Sequence, residues 1–269
     1  MKKQQAGLVT AVISSLALGA IGCSGGGTGG GTGGTTGTGD ASALCSPPIA
    51  SMDSVISDFK TSSGVNPVQG RTGGWYVYYE GDADAAHPNT MNPRLDPPKS
   101  TSGPPISTTV GGPCSGAGSL RQKATGVTGW GVGLGTNIAA AVSGKHGSYD
   151  ASAYTGVRMW MKCAAPTMHV SLKIPTSDTD FDAPAPMCTS YSDCNAHGKY
   201  DVPLTADWTV FEVPFADAIQ DPGNPSTTRI PTFDKSKITA IQIQINANYV
   251  DGGAVPNDFE CWFDDLHFY

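Results

Sequence analysis

The sequence predicts an all-β domain, a two-sheet antiparallel β-sandwich, and three observations carry that expectation. Short segments alternate apolar and polar residues, as strands with one buried face do. Clusters of Gly, Pro, Asn and Asp separate them. Helical periodicity is almost absent, with one weak candidate over 216–219. Many short strands, each with one apolar face, describe two packed sheets.

In chain order, strands are expected at 55–59, 75–80, 129–136, 157–163, 170–174, 208–214, 241–246 and 261–269. The first is a short apolar run. The second, Trp75-Tyr76-Val77-Tyr78-Tyr79, is aromatic on both faces; one face must be core, and Tyr78 is assigned to the ligand side. Residues 82–119 hold seven prolines and little alternation, which reads as a long irregular excursion of the functional-loop kind. In Gly129-Trp130-Gly131-Val132-Gly133-Leu134-Gly135, glycine at every second position leaves one face bare. A ligand or a packed loop can then approach closely. Trp130, Trp208 and Trp262 are assigned to the core.

The three clearest strands are Val157-Arg158-Met159-Trp160-Met161-Lys162-Cys163, Val170-Ser171-Leu172-Lys173-Ile174 and Ile241-Gln242-Ile243-Gln244-Ile245-Asn246. Alternation turns Val157, Met159 and Met161 inward, and Arg158, Trp160 and Lys162 outward. By the same rule Ser171 and Lys173 face out, as do Gln242, Gln244 and Asn246. With these strands in one sheet, its outer face carries a Trp, several cations and a row of amides. That mixture suits a sugar, whose apolar C–H face needs an aromatic ring and whose hydroxyls need fixed polar groups. A solvated sheet face with incidental polar residues is the plainer alternative.

The ends set the compartment. Residues 1–22 carry Lys2 and Lys3, then an uncharged apolar or small-residue run from Gly7 to Ile21, the pattern of an export signal. The following Cys23 resembles the acylated cysteine of a bacterial lipobox, although Ala20 stands where Leu is usual. Several acyl chains there would anchor the chain to a membrane. Residues 24–39 are ten Gly, five Thr and one Ser. The linker over 23–43 is therefore a flexible tether, whose Gly-rich part reaches roughly 20–25 Å. The folded domain spans 44–269.

Removing Cys23 leaves Cys45, Cys114, Cys163, Cys188, Cys194 and Cys261, an even set. In an oxidising compartment these form disulfides, and no CxxC pairs favour zinc. Cys188 and Cys194 close a very short loop and are the best-supported pair; Cys45 with Cys114 would tie down the Pro-rich excursion. Without Lys2 and Lys3 the chain has 14 basic and 23 acidic residues, a net charge of −9. No basic cluster offers a footprint for nucleic acid, and neutral ligands fit such a surface best. Nothing in the sequence demands an oligomer.

Several motifs together carry a family resemblance. They are Ile56-Ser57-Asp58-Phe59, Gly70-Arg71-Thr72-Gly73-Gly74-Trp75-Tyr76, Tyr149-Asp150-Ala151-Ser152-Ala153-Tyr154-Thr155-Gly156, Lys173-Ile174-Pro175-Thr176-Ser177-Asp178-Thr179, Cys194-Asn195-Ala196-His197-Gly198-Lys199 and Trp262-Phe263-Asp264-Asp265-Leu266. Their order resembles galactose-binding-like jelly-roll modules of secreted bacterial proteins and is similar to family 11 carbohydrate-binding modules. The resemblance covers 54–269. It implies a jelly roll whose concave face binds a β-glucan-like polysaccharide. It also implies a structural Ca²⁺ between the first and last strands, drawing on Asp58, Asp264 and the Glu80-Gly81-Asp82 corner, with Asp82 as a ligand. The Pro-rich insertion and the Cys188–Cys194 loop depart from the pattern and can reshape that face. Asp178-Thr179-Asp180-Phe181-Asp182 is no EF-hand, since Ala183 and Thr189 stand where Gly and an acid are needed.

No nucleophile-elbow, zincin, Walker or dinucleotide fingerprint occurs. Of His87, His146, His169, His197 and His267, His197 is the candidate for the ligand face, as a contact or a general base; the others are assigned structural or solvent-exposed roles. Asp178, Asp180 and Asp182 with His197, Lys173 and Arg158 offer an acid/base pair for a polysaccharide-degrading glycosidase or lyase. Non-catalytic carbohydrate binding leads. The alternatives are that enzyme and a structural or adhesive surface protein.

Overall fold

The alternating segments form strands, and the strands close into two antiparallel sheets. A computed structural model describes residues 54–59, 71–79, 94–96, 107–109, 112–113, 118–127, 131–164, 169–190, 193–202, 206–220, 229–230, 232–246, 249–250, 253–254 and 257–269. All belong to one unit, Gly39–Tyr269. The signal segment, Cys23, the tether, Cys45, Cys114, Asp82 and Trp130 lie outside the described residues.

The strands begin with β1 (Val55–Ser57), β2 (Trp75–Tyr79), β3 (Arg94–Asp96), β4 (Ser107–Thr109), β5 (Ser119–Val127) and β6 (Val132–Asn137). They continue as β7 (Ala139–Val142), β8 (Lys145–Gly147), β9 (Gly156–Cys163), β10 (His169–Ile174), β11 (Gly198–Val202) and β12 (Thr209–Pro214). The last are β13 (Ile219–Gln220), β14 (Ala240–Asn246), β15 (Tyr249–Val250), β16 (Gly253–Ala254) and β17 (Asn257–Phe268). The helix candidate over 216–219 is instead a 3-10 turn, Phe215–Asp217, leading into β13.

One sheet has seven strands in the order β12-β9-β17-β5-β3, with β1 also on β17 and β4 also on β5. The other has six, in the order β13-β11-β10-β14-β6-β2. Hairpins β7–β8 and β15–β16 stand apart from both. The core lies between the two sheets. Ile241, Ile243 and Ile245 of β14 and Val170, Leu172 and Ile174 of β10 share it with Met159 and Met161 of β9 and Phe259 and Phe263 of β17. Each such fully buried side chain contributes about 1.5–3 kcal/mol. At one end Tyr149 and Tyr154 stack on Phe268. Cys163 is bonded to Cys261, its register partner on β17, and Cys188 is bonded to Cys194 as expected.

Three expectations need correction. Strand β9 does not share a sheet with β10 and β14. It pairs with β12 and β17, so Arg158, Trp160 and Lys162 lie in the opposite sheet from Lys173, Gln242 and Gln244. Trp208 and Trp262 are half-buried and lie outside the core cluster, where both rings flank Lys162. The stretch 82–119 is not wholly irregular, because β3 and β4 run within it and both pair with β5. Strand β5 itself was hidden in the sequence because Gln122, wholly buried, occupies an inward position between Leu120 and Ala124.

Candidate functional site

The six-stranded sheet turns Val77 and Trp75 inward and Tyr76 and Tyr78 outward. Across the ladder, Tyr76 is paired with Gly135 and Tyr78 with Gly133. The bare face that the alternating glycines create is covered by these two rings. A Cβ on Gly133 would fall inside the Tyr78 ring, and one on Gly135 inside the Tyr76 ring. Both tyrosines therefore lie down over the neighbouring strand, with ring centroids 6.1 Å apart and planes inclined at 39°. Gln242, one strand further on, is paired with Gly135 and pins both phenols. Its amide nitrogen donates to Tyr76 Oη (3.0 Å), and Tyr78 Oη donates to its carbonyl oxygen (3.4 Å).

Around this floor lies a cavity of about 670 Å³. Gln244 and Lys173 extend the floor, and Lys173 is the register partner of Gln242 on β10. One wall is His146 of β8 with Asp180, Phe181 and Asp182. Another is Cys194, Asn195 and His197, so the Cys188–Cys194 bond ties that wall together.

His197 is 7% exposed. Its Nδ1 lies 3.1 Å from Thr179 Oγ1. That hydroxyl donates to the Thr176 carbonyl and accepts from the Thr176 N–H. The Thr176 hydroxyl also lies 3.4 Å away; we assign the imidazole hydrogen to Nδ1, donating to Thr179 Oγ1, which leaves the Nε2 lone pair bare, and His197 lines the cavity. Burial, assisted by the Lys173 cation and opposed by Asp180, pushes the His197 pKa down to about 3. The ring is thus a neutral acceptor at any ordinary pH.

His146 behaves in the opposite way. Its Nδ1 lies 2.9 Å from Asp180 Oδ2, and this hydrogen bond raises its pKa against the effect of burial. Burial alone would raise the Asp180 pKa. The hydrogen bonds from His146 and from Thr239 Oγ1 (2.7 Å) outweigh it and hold the carboxylate ionised. Asp180 Oδ1 also accepts from the Asp182 N–H (3.0 Å).

Of the expected ligand residues, the cavity brings together Tyr78, Lys173, Gln242, Gln244 and His197. Arg158, Trp160 and Lys162 are not among them. Arg158 is ion-paired with Glu212 across the β9–β12 ladder. Trp160, which alternation assigns to the outer face, is only 4% exposed. Its register partner is Asp264, and Gly112 packs so closely on the Asp264 carboxylate that a Cβ there would overlap it. Gly112 therefore lies against that part of the sheet. Asn246 is paired with His169 at the far end of β14.

For the expected calcium ligands, Asp264 is wholly buried and accepts from the Asp265 N–H (2.9 Å), while Asp58 sits just after β1. Neither belongs to a group of three metal-ligating side chains among the described residues. The group of three metal-ligating side chains that the described residues do assemble is His146, Asp180 and Asp182, whose ligand atoms all lie within 4.8 Å of one another. Sequence reasoning missed Tyr76, although it shares the parity of Tyr78. It placed His146 off the site because nothing local signals that the β7–β8 hairpin meets the 178–183 loop through the His146 N–H and the Asp182 carbonyl (2.8 Å).

No family model matches the chain, and no curated protein matches it. Solved structures do resemble it. A family 11 carbohydrate-binding module from Clostridium thermocellum, in complex with a β-1,3-1,4-mixed-linked tetrasaccharide, is 12% identical over 80% of this chain and 94% of that one, with a TM-score of 0.42. The family 30 module of a Clostridium thermocellum cellulosomal cellulase is 16% identical over 61% of this chain and 81% of that one, at 0.38. An agarase, AgWH50C, is 9% identical over 80% of this chain but 26% of its own, at 0.40. Jelly-roll carbohydrate-binding modules are thus among the structural neighbours.

Proposed function

We propose that the chain is a non-catalytic carbohydrate-binding protein that takes a neutral polysaccharide on the outer face of its six-stranded sheet. The aromatic floor carries this reading: Tyr76 and Tyr78 lie flat over Gly135 and Gly133 and are pinned by Gln242. A pyranose has an apolar C–H face, which a flat ring covers, and a rim of hydroxyls. Gln244, Lys173 and the bare Nε2 of His197 suit that rim. A net charge of −9 beyond the signal segment favours a neutral polymer over an acidic one, and β-glucans are the first class to try.

Binding rather than hydrolysis is supported by the electrostatics of the walls. A general base works best with a pKa near the working pH, and His197, at about 3, is far too weak. A glycosidase also needs a protonated carboxylic acid, whereas Asp180 is held ionised. Acylation at Cys23 and a flexible tether over 24–39 complete the reading, as a lipoprotein presenting its domain away from a membrane. Cys23→Ser should abolish incorporation of labelled fatty acid.

The decisive experiment is affinity electrophoresis of the full chain through a panel of neutral glycans, beside Tyr76→Ala/Tyr78→Ala. Retardation by a β-glucan that the double variant loses supports the proposal. A folded protein retarded by no glycan, or one that releases reducing ends or unsaturated sugars, overturns it.

A further inference from the structure

We infer that His146, Asp180 and Asp182 form a binding site for one divalent transition-metal ion in the wall of the cavity, with its open coordination positions facing the cavity space. The placement of those open positions deepens the carbohydrate-binding reading; the metal site itself stands apart from it.

The donor set is one imidazole nitrogen and two carboxylates, with ligand atoms within 4.8 Å of one another. Imidazole with carboxylate suits zinc and its first-row neighbours, whereas calcium takes oxygen donors alone. The three residues come from two elements held against each other by the His146 N–H and the Asp182 carbonyl, so the donors are already gathered. Asp180 has the outer support that a metal-ligating carboxylate needs, because the buried Thr239 hydroxyl donates to Oδ2 from behind at 2.7 Å. In the metal-free protein His146 Nδ1 bonds to that same oxygen at 2.9 Å. An ion would replace this hydrogen bond, the displaced hydrogen moving to Nε2 or to solvent. Lys145 Nζ, 3.8 Å from Asp182 Oδ1, is the one cation in place against Asp182 among the described ion pairs. It is half-exposed and also lies 5.8 Å from the Phe181 ring centroid.

A second observation points to an occupant of the same space. His197 lines this cavity, is more than nine-tenths buried, and makes no hydrogen bond through Nε2 among the described residues. Nε2 is not among the sealed, unsatisfied atoms of the described residues, so the contents of the cavity can supply its donor. A metal-bound water, or a sugar hydroxyl polarised by the ion, is such a donor.

The test uses the metal alone. The full chain, stripped with EDTA and dialysed, is titrated with zinc sulfate by calorimetry, with calcium chloride in parallel. One equivalent of zinc should bind at micromolar affinity or tighter, and calcium far more weakly. Asp182→Asn, at an exposed side chain that the fold tolerates, should weaken zinc at least about tenfold, and Thr239→Val about 10–100-fold through Asp180. His146→Gln should abolish the site. Absence of zinc binding by protein that melts cooperatively overturns the inference. So does equal binding by wild type, Asp182→Asn and His146→Gln. Glycan retardation measured in EDTA is independent of these outcomes, so the two readings fail separately.

Discussion

The two sheets present outer faces of similar composition, and the cavity described above lies on the six-stranded one. Both carry aromatic rings, cations and polar side chains. On the seven-stranded sheet those groups are spent on one another. Lys162 Nζ sits 5.1 Å from the Trp208 ring and 4.7 Å from the Trp262 ring, Arg158 is paired with Glu212, and Arg121 with Glu260 at 2.6 Å. On the six-stranded sheet the rings lie flat, and a buried imidazole keeps a lone pair toward the cavity. What a face can bind thus depends on how its rings lie and on the cavity they border as much as on which residues it holds.

The comparison breaks most sharply at the glycines. Gly133→Val would drive the Tyr78 ring off the strand without touching the core. Glycan retention should fall at least about 100-fold, roughly 2.7 kcal/mol, with the melting temperature little changed. Retention equal to wild type would show that the floor is not the ligand surface.

Acid sharpens the comparison next, since among the described residues a buried histidine with a lowered pKa accompanies each sheet, His197 just before β11 and His267 in β17. Folded His197 stays neutral down to about pH 3, while the unfolded imidazole protonates near 6.5. Below the unfolded value the unfolded state binds more protons, so stability falls as pH drops. The slope is up to about 1.4 kcal/mol per pH unit for one such group. His267, on the other sheet, is pushed down mainly by burial, against the opposing pull of Asp265, and contributes with the same sign. Urea unfolding across this range should show a shallower pH slope in His197→Gln than in wild type. An unchanged slope would mean that His197 is not buried as described.

The smallest effect is expected on the closed face. Lys162→Met removes a cation between two half-exposed rings and should cost about 0.5–1 kcal/mol of stability while leaving glycan retention unchanged. Any loss of retention in this variant would move the ligand to the seven-stranded sheet.

The legible part of this fold was parity. Ile241, Ile243 and Ile245 face the core, and Gln242 and Gln244 face out, because a half-buried strand writes its two faces into alternate positions. Trp160, which parity assigns to the outer face, is buried and stands outside the core cluster. Parity could not reveal which sheet a strand joins, since the pairing of β9 with β12 and β17 rests on partners some fifty to one hundred residues away. Nor could it reveal that Gly112 lies against the sheet beside Trp160. At β5 even parity failed, because the buried Gln122 interrupts the apolar series. At the site, Tyr78 and the amides were readable one strand at a time. His146 became part of it only through a hairpin docked on a distant loop.

The flat tyrosines have a consequence for anyone searching by random mutagenesis for variants that lose the ligand. Half of the instructions for the floor are written as missing atoms, at Gly133 and Gly135, where any side chain would occupy the space of a tyrosine ring. Such a screen should return hits at both glycines as readily as at the tyrosines themselves. A protein engineer grafting this surface onto another scaffold would have to transplant two neighbouring strands together, the one that supplies the rings and the one that makes room for them.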